Sequence, residues 1–64
     1  MENETYTTEI MDLSNIRMFE EWFDKIVGTE IEIEDFGINE WSATCFDLTR
    51  SEVQKCRNWE NRNG

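Results

Sequence analysis

The spacing of apolar residues changes along this chain, and each change predicts an element. Residues 5–13 are rich in β-branched and aromatic types, which suits a strand with Tyr6, Thr8 and Ile10 on one face. Ile16, Phe19, Phe23, Ile26 and Val27 then recur at helical spacing and predict a helix over Asn15–Val27. Ser14 is its expected N-cap, Leu13 and Met18 an expected hydrophobic staple, and Gly28 the left-handed residue that ends it. From Thr29 to Phe36 the period drops to two. Ile31 and Ile33 take one side, and Glu30, Glu32 and Glu34 the other, which predicts a half-buried strand.

Gly37 and Asn39 predict a turn, and Trp41–Leu48 its hairpin partner strand. In that strand Trp41, Ala43 and Cys45 share one parity while Phe46 and Leu48 share the other. Either a bulge or burial on both faces would accommodate this. Thr49-Arg50-Ser51-Glu52 spells a capping box, with Leu48 and Val53 as a second staple. The helix it opens is expected to run from Arg50 to Asn58 or Glu60, burying Val53 and Cys56, with burial of Trp59 left open. Residues 1–4 and 61–64 are expected to fray. The predicted fold is a small α+β domain of order β-α-β-β-α: a three-stranded sheet with two helices on one face. A right-handed crossover through the first helix is expected if the first two strands are parallel neighbours; the strand order itself is left open.

Length and composition narrow what such a fold can do. Sixty-four residues make a single domain, and one this short buries only roughly 60% of the surface its unfolded chain exposes. Such a thin core leaves little room for a deep substrate pocket, so recognition by the surface is expected. Three Trp, four Phe and one Tyr place the chain among folded proteins despite its charge. The net charge is −9, which disfavours direct contact with nucleic acid or an anionic membrane. The opening Met1-Glu2-Asn3-Glu4 lacks the basic and apolar regions of a secretory signal, so a cytoplasmic setting is expected, with Cys45 and Cys56 reduced.

The charge is also segregated. Residues 1–48 hold 13 acids against Arg17 and Lys25, whereas residues 49–64 hold four bases against Glu52 and Glu60. Glu30, Glu32 and Glu34, with Asp35 beside them, would form a row at roughly 6.6 Å spacing, where like charges repel and folding gains nothing. Glu20, Glu21 and Asp24 line the solvent side of the first helix. Such a surface is either a solvated face that keeps the protein soluble or an imitation of a nucleic-acid backbone aimed at a basic cleft. Trp22 and Met18, at the margin of the helical stripe, either cover the rim of the core or form a contact patch. Trp22 is the candidate anchor. Of the other two Trp residues, Trp59 sits among polar neighbours and is expected to be the more exposed.

Catalysis is not expected. The chain has no His, so no Ser–His or Cys–His pair is available. Two thiols do not make a structural zinc site; both cysteines read as core residues, and a redox link across the last strand and helix is the minor alternative. The glycines are isolated, so no phosphate loop is present. A calcium loop starting at Glu32 fails, because Phe36 occupies a ligand position and Ala43 the closing one. No cofactor or metal is called for. The expected function is an acidic protein-binding inhibitor or modulator, in the manner of phage or mobile-element counter-defence and host-takeover factors. Its expected partner is a basic, nucleic-acid-handling protein, met through Glu30, Glu32, Glu34, Asp35, Glu20, Glu21, Asp24 and Trp22. The alternative is a structural module that acts as a homo-oligomer, such as a homodimer, since sheet edges and a thin core both favour a partner.

Overall fold

The structure, a computed structural model, describes residues 3–63. Its elements follow the expected order: β1 (Glu4–Thr7), α1 (Leu13–Ile26), β2 (Ile31–Gly37), β3 (Glu40–Leu48) and α2 (Arg50–Asn63). The strands form one antiparallel sheet in the order β1-β3-β2. β1 and β2 therefore run parallel to each other, but β3 lies between them. The condition of neighbouring parallel strands is not met, because the tight hairpin places β3 in the gap that α1 leaves open. Ala43, Cys45 and Leu48 of β3 share one core with Ile16, Phe19 and Phe23 of α1 and Cys56 and Trp59 of α2. Both helices thus cover the same face of the sheet.

The helix ends show which local signals won. α1 is capped by Asp12, not Ser14: the Asp12 carboxylate accepts from the Asn15 N–H at 2.8 Å. Asp is as good a cap as Ser, and starting two residues earlier puts Met11 and Ile16 at the staple positions. Both are buried, whereas Met18, expected in the staple, is half exposed. Gly28, at φ +76°, closes the helix as expected, and its N–H and that of Val27 both donate to the Phe23 carbonyl. Ile26, expected in the buried stripe, is half exposed, because it lies toward the polar side of α2 and not over the sheet.

The capping box of α2 forms in both directions. Glu52 N–H donates to Thr49 Oγ1 at 3.2 Å, and Thr49 N–H donates to Glu52 Oε1 at 2.8 Å. The helix continues to Asn63, beyond its expected end. Trp59 is buried after all, packed edge-on against Phe19 at 5.2 Å between centroids. That contact holds the last turn, where Asn63 Nδ2 donates to the Trp59 carbonyl at 3.0 Å. Its polar sequence neighbours point away, since Cys56 and Trp59 are three apart on one helical face.

Two bulges convert period-two strands into buried residues three apart. Along β3 the pairing steps from Tyr6↔Cys45 to Glu4↔Leu48, which leaves one extra residue on β3. Asp47 takes φ +57°, and Cys45 and Leu48 are both fully buried despite their opposite parity. Of the two expected accommodations, the bulge is the one adopted. The second bulge follows β1. Thr8 N–H donates to the Ala43 carbonyl at 2.9 Å, and Thr8 Oγ1 accepts from Ala43 N–H at 3.0 Å. The hydroxyl stands in for a backbone carbonyl, so the chain can leave the ladder and rejoin at Met11↔Trp41. Thr8 and Met11 are buried, and Ile10, expected to share the face of Tyr6 and Thr8, is turned out to solvent. The regular first strand is accordingly four residues long.

Candidate functional site

β2 is an edge strand, and its carboxylates stand where no helix covers them. Ile31 pairs with Cys45 and Ile33 with Ala43, so these isoleucines face the helices and Glu30, Glu32 and Glu34 face the open side. Glu32, Thr44 and Thr7 form one rung across all three strands. No Cα of either helix comes within 8 Å of a Cα in β2. Asp35 is apart from the row: it falls on the opposite face, and its carboxylate accepts from Gly37 N–H at 2.8 Å to shape the hairpin turn.

The acids of α1 adjoin this strand. Glu20, Glu21 and Asp24 border an open groove of about 330 Å³, whose other side is Thr29 and Ile31. The structure thus brings six of the predicted acids to the two sides of one sheet edge. It separates Trp22 from them. At 100° per residue, Trp22 lies on the opposite flank of α1 from Asp24. There it packs against Phe19 at 5.7 Å and Trp59 at 6.1 Å. With Ile26, Lys55, Asn58 and Arg62 it lines a second groove of about 220 Å³ between the helices. Acids and Trp anchor, grouped together by the sequence, cannot engage one small partner surface.

Little of the negative charge is neutralised. Among the described residues the one ion pair is Arg50 Nε to Glu4 Oε2 at 4.0 Å, and both side chains are well exposed. Such a pair stabilises little. The strand row recurs at roughly 6.6 Å, about half the axial charge density of one DNA strand, which carries a phosphate each ~3.4 Å. The α1 acids supply a second line of charge across the edge.

Glu60 has a role that its neighbours in sequence did not suggest. One carboxylate oxygen accepts from the Tyr6 phenol, and the other accepts from the Glu9 N–H at 3.0 Å. This latch ties α2 to β1. Burial, together with the Glu60 carboxylate, holds the Tyr6 phenol above the ordinary tyrosine range. Cys45 and Cys56 are both buried as free thiols. The Cys56 thiol beside it, and burial, push Cys45 up.

The hairpin tip carries exposed apolar side chains that the alternation along β2 does not single out. Ile38 is 96% exposed, Phe36 half exposed, and Asp35 and Glu40 flank them. Ile38 and Asn39 take φ +52° and +58°, as in the two-residue turns that favour Asn and Gly. A β-branched side chain there is strained. The available signal was the pair of large apolar residues on either side of Gly37 in a predicted turn. No group of three or more His, Cys, Asp or Glu among the described residues is arranged to hold a metal. No described helix is long and apolar enough to cross a membrane. Comparison with known protein families, with curated proteins and with solved structures finds no match to this chain.

Proposed function

We propose that this chain is a non-catalytic binding domain whose acidic sheet edge occupies the basic cleft of a nucleic-acid-handling protein and blocks or modulates it. The observation that carries this reading is the uncompensated charge of one edge. Glu30 at the entry to β2, Glu32 and Glu34 on it, and Glu20, Glu21 and Asp24 on α1, are exposed and have no ion-pair partner among the described residues. Charge held this way gains nothing for the fold, and it produces a one-signed field that accelerates encounter with a basic partner. The two grooves described above are open to solvent, so the ridge of charge beside them is the recognition element. Trp22 lies outside this contact.

The test is capture from nuclease-treated lysate with the tagged protein, followed by a salt step and competition with DNA or RNA. A nucleic-acid-handling protein, released by salt and displaced by the polyanion, is the expected result. Reversing the row with Glu30→Lys, Glu32→Lys and Glu34→Lys should abolish capture while circular dichroism stays unchanged. Capture that survives charge reversal rules this reading out.

A further inference from the structure

We propose that the hairpin tip of one copy docks into the groove between α1 and α2 of a second copy, giving a weak head-to-tail association. The proposal is independent of the acidic row on the open face of the sheet. Two surfaces carry it. The first is the tip, where Ile38 projects almost fully into solvent between Asp35 and Glu40, on a turn its own β-branched side chain strains. An apolar side chain kept at a position that disfavours it, with no intramolecular contact to explain it, has the character of an anchor. The second is the groove of about 220 Å³, with Trp22 and Ile26 on one wall and Lys55 and Arg62 on the other.

The two surfaces match in polarity and in charge. The tip is an apolar point flanked by acids. The groove is an apolar, aromatic slot flanked by the bases that the C-terminal segment contributes to an otherwise acidic chain. They cannot meet within one molecule. The turn is held at the N-terminus of α1, where Leu13 N–H donates to Asn39 Oδ1 at 3.1 Å. Trp22 lies nine residues further along the helix, roughly 14 Å away at about 1.5 Å per residue. The contact is therefore between copies, and it is heterologous: each molecule offers a tip and a groove, so association continues into chains or closes into a ring. The like charge of the molecules and the small area limit its strength, as in other weak encounters.

Sedimentation of the full chain should show its average mass rising between about 10 µM and about 1 mM, the span of weak contacts. Ile38→Asn removes the anchor and suits the turn, so its loss of association cannot be ascribed to unfolding. Lys55→Glu with Arg62→Glu reverses the groove at two exposed positions. Each variant alone should sediment as a monomer with unchanged near-ultraviolet circular dichroism. Mixed in equal amounts they should form a dimer and nothing larger, since the intact tip of the charge-reversed variant still finds the intact groove of Ile38→Asn. A parent that stays monomeric to about 1 mM overturns the proposal. So does association that survives either variant, or a mixture that remains monomeric.

Discussion

The two edges of the sheet are built on different principles. β1 is four residues long, is followed at once by a bulge, and is tied to α2 through the Tyr6–Glu60 and Glu9–Glu60 bonds. β2 is seven residues long, pairs with β3 alone, has no helix Cα within 8 Å of its own, and meets the core only through the half-buried Ile31 and Ile33. An uncovered edge strand of that length is a template for pairing with other chains. One edge is protected by being short and pinned, the other by a row of like charge. Burial follows the same division: the fully buried residues come from α1, β3 and α2, while Ile31 and Ile33 of β2 are only half-buried. The edge least needed for the core is the one free to carry the proposed recognition surface.

The largest expected effect removes what both edges depend on. Phe19 is fully buried against Phe23, Trp22 and Trp59. Phe19→Ala should lose about 3–5 kcal/mol, enough to unfold most of a domain this small. Ile33→Ala, on the half-buried side of β2, should lose only about 1–2 kcal/mol by urea denaturation. If both substitutions cost the same, the two edges are not held differently.

Tyr6→Phe releases the pinned edge. It leaves the Glu60 carboxylate with the Glu9 N–H alone, an expected loss of about 1–2 kcal/mol. The phenol binds its proton more tightly folded than unfolded, so its contribution is complete below pH 10.0 and lost as pH rises beyond it. The parent should therefore lose stability above that pH more steeply than Tyr6→Phe does. Equal slopes would mean the latch is absent.

Smaller changes probe the free edge. Ile38→Asn should stabilise the domain by about 1 kcal/mol, because Asn accepts the left-handed turn that Ile strains. Glu32→Gln should raise stability by only a few tenths of a kcal/mol, by relieving repulsion from Glu30 and Glu34. Hydrogen exchange should place the amides of β2 well below those of α1 in protection. Equal protection would show that the uncovered strand is as firmly held as the core.

Much of this fold could be read locally. The capping box at Thr49, the left-handed Gly28 and the alternation of Ile31 and Ile33 against Glu30, Glu32 and Glu34 each rest on neighbours a few residues apart. Such short-range chemistry determined the order β-α-β-β-α, the centre of each helix face and the row Glu30, Glu32 and Glu34, but not the exposure of Ile26 or the face taken by Asp35. What the sequence alone could not decide depends on residues brought from afar. Asp12 and Ser14 are equally good caps, and only the burial of Met11 and Ile16 selects between them. Trp59 reads as exposed until α1 supplies Phe19. Placing β3 between β1 and β2 requires the whole chain, and so do the bulges that bury Thr8 with Met11 and Cys45 with Leu48. The division of the candidate surfaces had the same origin. Trp22 and Asp24 are two residues apart in the chain, but packing sends one toward α2 and the other toward β2. Local spacing sets which residues share a face, and tertiary packing sets what each face meets.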